Sequence, residues 1–194
     1  KKTYRELVAA DRDAIVQGGG VGSSHGFDLF AKTDLAFGVS GRVSYSYLSA
    51  DRTDPDTGLL VRSPFDVTHT LIVAVDRSLG PAWAVSASLR QATGRPFTNV
   101  ASASFDEVRD VWVPAYGAPN AERYPDFRRV DLSVTRLHSF WTGNLTVFFV
   151  SLTNAFDRRN VSRFEYSPDY SLRSPVDSPF RRTLYFGASL STPF

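Results

Sequence analysis

The chain has no cysteine and no methionine. The first absence excludes disulfides, thiolate catalysis and cysteine-ligated metal. The second extends to position 1, so the sequence is expected to be the C-terminal piece of a longer product. Charge of one sign is lacking as well. With 22 basic and 20 acidic residues the formal net charge is +2, which gives no reason to expect a nucleic-acid partner. Apolar runs are short, Val147 to Val150 being one. A transmembrane helix needs about 20 such residues in succession. Membranes remain open nonetheless, because barrel strands need only about 9–11 residues and alternate in polarity. The opening Lys1-Lys2-Thr3-Tyr4 has no apolar signal-peptide core, so a targeting signal is expected upstream.

What the chain does have is aromatics and period-two patterning. There are 15 Phe, 8 Tyr and 3 Trp, and strand formers alternate with turn residues throughout. Tyr4 to Ile15 has some helical character but is read as a strand end running into a loop. Gly18-Gly19-Gly20-Val21-Gly22 reads as a flexible loop. Strands are expected at Gly26 to Lys32, Phe37 to Leu48, Val67 to Arg77, Trp83 to Pro96, Phe127 to Phe140, Asn144 to Phe156 and Phe180 to Phe194. The pattern allows the sixth to continue to Tyr166. That makes seven strands, or eight if residues 1 to 16 supply one.

The connections alternate in length. Thr33–Ala36, Leu79–Ala82 and Trp141–Gly143 are short, while Asp51–Asp66, Ala101–Asp126 and Ser167–Pro179 are long. Outer-membrane barrels show this asymmetry, with short periplasmic turns and long extracellular loops. The expected fold is therefore all-β, an antiparallel transmembrane β-barrel segment. The last strand then descends, placing the C-terminus on the periplasmic side of a Gram-negative outer membrane. Its alternation puts Leu184, Phe186, Ala188, Leu190, Thr192 and Phe194 on one face. Phe186, Leu190 and the terminal Phe194 resemble the C-terminal signal that the barrel-assembly machinery reads. Arg42, Arg90 and Asp131 fall on the polar faces of their strands, which makes them candidates to face a wet lumen. On the lipid face they would cost several kcal/mol near mid-membrane. Aromatics near strand ends (Tyr45, Tyr47, Trp83, Phe127, Phe140, Trp141, Phe164 and Tyr166) suit interfacial girdles. Phe148 and Phe149 break the alternation, so one faces inward or a bulge shifts the phase.

Several segments together resemble TonB-dependent receptors. Gly22-Ser23-Ser24-His25-Gly26-Phe27-Asp28-Leu29-Phe30 and Gly41-Arg42-Val43-Ser44-Tyr45 are similar to two successive strands of that family. Phe65-Asp66-Val67-Thr68-His69-Thr70-Leu71 resembles its Asp-x-x-His-x-Leu segment. Gly94-Arg95-Pro96-Phe97-Thr98 looks like its Gly-x-Pro-aromatic-Thr strand end. Pro125-Asp126-Phe127-Arg128-Arg129-Val130-Asp131 and Asn154-Ala155-Phe156-Asp157-Arg158-Arg159-Asn160 match two further signatures. The family-like positions are thus His69, Gly94, Pro96, Arg128, Asp131, Asn154, Phe156 and Asn160. Thr192, where an aromatic is more usual, and Pro193 depart from the family's ending.

The resemblance implies the last third of a barrel of about 22 strands, with residues 1–194 as wall and the plug domain and TonB box upstream. It implies energised uptake of a large solute such as a siderophore, vitamin or glycan, with no enzyme activity and no cofactor. Its partners would be membrane lipid, the assembly machinery, the plug and a TonB-type energiser. A complete small barrel of eight strands, serving as an adhesin or lipid-active enzyme, is the alternative; a soluble β-sandwich is the third reading.

Sharper chemical readings fare less well. Gly22-Ser23-Ser24-His25-Gly26 fits the pattern of a nucleophile elbow, but that motif needs a strand before it and a helix after it. His25, His69 and His138 lack the spacing of a zinc helix. Asp54 to Gly58 lacks the remaining ligands of a calcium loop. Asp106, Glu107 and Asp110 read as a solvated loop, and no Gly-Lys-Ser/Thr follows the glycines at 18 to 22.

Overall fold

The computed structural model describes residues 21–54, 57–140 and 144–191. Fourteen strands form in chain order: β1 (Gly22–Leu35), β2 (Val39–Thr53), β3 (Leu60–Arg62), β4 (His69–Leu79), β5 (Trp83–Ala92), β6 (Pro96–Phe97), β7 (Val100–Asp106), β8 (Val111–Tyr116), β9 (Glu122–Arg123), β10 (Phe127–His138), β11 (Leu145–Thr153), β12 (Val161–Tyr166), β13 (Arg173–Asp177) and β14 (Thr183–Ser191). The main sheet has the order β1-β2-β4-β5-β10-β11-β14, with β3 added beside β2. Every neighbouring pair is antiparallel. The protein is all-β, and among the described residues it has no α-helix.

Period-two chemistry fixes the register. Paired residues share a face, so rows can be followed across the sheet. One row runs Gly41, Val75, Ala87, Leu132, Leu152, Leu184. The next runs Val43, Val73, Leu89, Val130. One residue out of phase lies the row Arg42, Ala74, Ser88, Asp131, on the opposite face. A slip of one residue would exchange the two faces, which is why the pattern tolerates only this pairing.

Almost no apolar side chain is buried. Among the described residues only Ala92, Phe97 and Val111 form a buried hydrophobic set. Leu29, Val43, Val75, Leu132, Val134, Phe186 and Leu190 on the apolar face all stand exposed, Phe186 at 78 %. No second layer covers the face, although a sheet in water must bury one against something.

Several expected boundaries move. The first hairpin turns at Ala36–Gly38 rather than Thr33–Asp34, because Phe37 (φ 62°) and Gly38 (φ 69°) take the left-handed conformations of the reversal. Thr33 and Asp34 are strand residues paired with Gly41 and Ser40. The sixth expected strand stops at Thr153 and does not continue to Tyr166. Val161–Tyr166 instead pairs with Arg173–Asp177 in a separate hairpin. The long Ala101–Asp126 connection is itself structured, with the β7–β8 hairpin above the β6–β9 pair. Residues 1 to 16, the Gly18–Gly20 loop, the Trp141–Gly143 turn and Phe194 lie outside the described residues.

The Phe148–Phe149 question resolves without a bulge, since β11 keeps register from Leu145 to Thr153. Phe148 lies on the apolar face between Arg136 and Ala188, while Phe149 lies on the polar face between Thr135 and Gly187. The Phe149 ring covers Gly187, where an added Cβ would come within 2.7 Å of Phe149 Cζ. Gly187→Ala is therefore expected to destabilise the sheet by about 1–3 kcal/mol. Urea unfolding of the refolded protein checks this, and Phe149→Ala in the same chain should restore part of the loss.

Candidate functional site

Arg42, Arg90 and Asp131 share the polar face of the sheet. Arg42 Nη2 donates to Asp76 Oδ2 at 2.9 Å, and Ser86 Oγ donates to Asp76 Oδ1 at 2.7 Å. Arg129 pairs with Asp131 at 2.9 Å. Arg90 lies over the Phe127 ring, 5.8 Å from its centre. A shallow depression lined by Arg42, Asp76, Ser86, Ser88, Asp131 and Ser133 crosses the middle of this face. Phe30, Ile72, Phe149 and Tyr185 share the face by register, so it is mixed rather than purely polar.

The long connections are clasped together at one end of the sheet. Their centre is Asp66, whose side chain is fully enclosed. Its Oδ2 accepts from Ala50 N–H at 2.8 Å and Arg62 Nη1 at 3.1 Å. Its Oδ1 accepts from Thr68 Oγ1 at 2.6 Å and Arg123 Nη2 at 2.7 Å. Arg123 also donates to the Asp66 and Gly94 carbonyls at 2.9 and 2.8 Å. Burial pushes the Asp66 carboxyl up, but donation from Thr68, Arg123, Ala50 and Arg62 outweighs it and holds the group well below the usual carboxylate range. Asn120 Nδ2 donates to the Arg62 carbonyl at 2.7 Å, a second tie between the same two connections.

An aromatic stack joins the β6–β9 pair to the β12–β13 hairpin. Phe97 stacks on Tyr124 at 4.4 Å, and Tyr124 on Phe164 at 5.4 Å. Arg173 lies 4.5 Å over Phe164 and pairs with Glu122 at 2.8 Å. Three long connections thus form one hydrogen-bonded and stacked assembly.

The family-like positions lie along the border between sheet and connections. His69 Nδ1 and the Tyr45 hydroxyl are 2.8 Å apart, beside Tyr47 and Phe27 on the apolar face. Gly94 is buried, and a Cβ there would fall 1.6 Å from the Tyr124 carbonyl oxygen. Pro96 pairs with Arg123. Asp131 Oδ1 accepts from Asn154 N–H at 2.8 Å. Asn154, 1 % exposed, donates to the Arg158 and Phe180 carbonyls and accepts from Arg158 N–H. Asn160 accepts from Arg128 N–H at 2.9 Å and donates to the Arg128 carbonyl at 2.9 Å, standing in for a strand partner. Phe156 is 79 % exposed, and His69 and Arg128 are exposed as well.

Phe186 and Leu190 lie on the apolar face, opposite Val150 and Thr146. The Gly22–Gly26 segment is strand throughout and precedes no helix, so Ser24 has none of the surroundings of a nucleophile elbow. Among the described residues no three His, Asp or Glu side chains converge on a metal-sized site. The clasp around Asp66 and Arg123 escaped sequence reasoning. The Asp66–Val67–Thr68 stretch was the one local signal, while its arginine lies 57 residues further on. No family model, curated protein or solved structure matches the chain.

Proposed function

We propose that this sheet is wall from an outer-membrane β-barrel. The observation that carries the reading is the uncovered apolar face, continuous over seven strands and backed by a face of arginine, aspartate and serine. Strands of 9 to 15 residues match the ~9–11 that cross a bilayer, with excess for a rim. Short reversals at one end and clasped long connections at the other supply the asymmetry. Both edges are open among the described residues, β1 pairing only with β2 and β14 only with β11. In lipid such edges require further strands.

Within that class, the function we propose is that of the C-terminal barrel portion of a TonB-dependent receptor, taking up a large solute with energy from a TonB-type partner. The eight ordered family-like positions support this, since Gly94, Arg128, Asp131, Asn154 and Asn160 take part in ties among the strands and their connections, the place where a receptor's loops need anchoring. The coding sequence upstream of Lys1 tests it: a plug-like domain is expected, and a signal peptide directly before Lys1 would replace this reading with a small barrel. The membrane reading has its own test. With no native cysteine in the chain, Val73→Cys and Ser88→Cys probe opposite faces in intact outer membranes. A water-soluble maleimide should label Ser88→Cys and leave Val73→Cys unlabelled until the membrane is dissolved. Equal labelling of both in membranes would rule out lipid on the apolar face.

A further inference from the structure

We propose that Arg77 and Arg136, with Trp83 between them, bind the headgroup phosphate of an anionic phospholipid. The proposal rests on the apolar face being lipid-facing, as above. Both arginines lie on that face by register, Arg77 opposite Val39 and Val85, Arg136 opposite Trp83 and Phe148. Each sits two residues from the end of its strand, on the side of the short reversals. At about 3.4 Å per residue that is ~7 Å from the margin, within reach of a headgroup for a long side chain that snorkels.

Their electrostatic setting differs from that of Arg42 and Arg129. On the polar face Arg42 and Arg129 each have a carboxylate at 2.9 Å. Among the described residues Arg77 and Arg136 have none, and Arg136 meets only the Trp83 ring, 5.1 Å from its centre. The acidic residues of the long strands point the other way: Asp28, Asp34, Asp76 and Asp131 all fall on the polar face. Asp51 shares the apolar face but lies at the opposite end of β2. His138, the last residue of β10 and on the same face, adds no negative charge.

Among the described residues the apolar face at the short-turn margin therefore carries two guanidiniums and no carboxylate. One strand separates them, so their backbones are ~10 Å apart sideways. Guanidinium forks match phosphate oxygens bidentately and stay charged at any physiological pH. Trp83 supplies an apolar body and an N–H at the same level, the arrangement that suits the bilayer interface. Unpaired, two cations on this face oppose membrane insertion; with a phosphodiester between them they favour it.

The test uses the full-length protein in nanodiscs of phosphatidylcholine with a minor share of phosphatidylglycerol. Lipid retained after detergent extraction is read by mass spectrometry for the wild type, Arg77→Gln with Arg136→Gln, and Arg163→Gln in the distant β12–β13 hairpin. Enrichment of phosphatidylglycerol is expected in the wild type and in Arg163→Gln, falling about fivefold for each margin arginine removed. Equal enrichment in the double variant overturns the site while leaving the membrane reading intact. Enrichment abolished by inorganic phosphate also overturns it, since the recognised group is then free phosphate. Failure of the protein to enter nanodiscs overturns both readings.

Discussion

Asp66→Ala is expected to cost about 3–5 kcal/mol, the largest loss of any single substitution in the connections. The side chain is fully enclosed, and its removal leaves the Ala50 N–H without its acceptor and takes the carboxylate from the Arg123 and Arg62 guanidiniums and the Thr68 hydroxyl. Asp66→Asn keeps the shape and one acceptor oxygen, so it should lose less. Protease protection of the loops in the folded protein reads the effect directly: cleavage between 95 and 125 should rise in the alanine variant and rise less in the asparagine variant. The same carboxylate sets a pH dependence. Its folded pKa lies below the unfolded value of about 3.9. A depressed acid contributes its stability above the unfolded pKa and loses it as pH falls toward the folded one. Loop protection should therefore hold through mildly acidic conditions and fall only below the ordinary carboxylate range. Loss of protection near pH 6 would point to a histidine instead.

Leu132→Arg is the second large effect. Leu132 is the midpoint of β10 on the apolar face, between Ala87 and Leu152, and stands 43 % exposed. In a bilayer an arginine there costs about 2–4 kcal/mol. In water the same exchange at an exposed site is nearly neutral. Ser133→Arg, one residue on and on the opposite face, is the matched control. On the membrane reading proposed above, heat-modifiable, folded protein in the outer membrane should drop sharply for Leu132→Arg and stay near wild type for Ser133→Arg. A reversed order would place lipid on the other side of the sheet.

The sheet was legible in the sequence because each face repeats with period two. Val39 to Tyr47 alternate with Ser40 to Ser46, and the observed register keeps the two sets apart. Arg42, Arg90 and Asp131 could be assigned to one face from that alternation alone, before any pairing was known. The first reversal was misplaced because a phenylalanine in the left-handed region carries no local signature. The sequence left β13 within a loop and allowed β12 as a continuation of the preceding strand, because Asn154 and Asn160 look like polar strand residues. Their burial against the Arg158, Phe180 and Arg128 backbones shows them to be corners. The Asp66 clasp and the Phe97–Tyr124–Phe164 stack join residues far apart in the chain, and no periodicity encodes such a meeting.

The paired charges of the polar face have a consequence for anything moving beside it. Arg42 with Asp76 and Arg129 with Asp131 are close dipoles rather than free ions. Beyond a Debye length, about 8 Å in physiological salt, their fields cancel. These two pairs are then nearly silent to a distant ion and act through short-range donors and acceptors on contact, whereas Arg90 on the same face has the Phe127 ring beside it rather than a carboxylate. Under the barrel reading proposed above, passage beside these pairs should depend little on ionic strength, unlike passage past a surface of one sign.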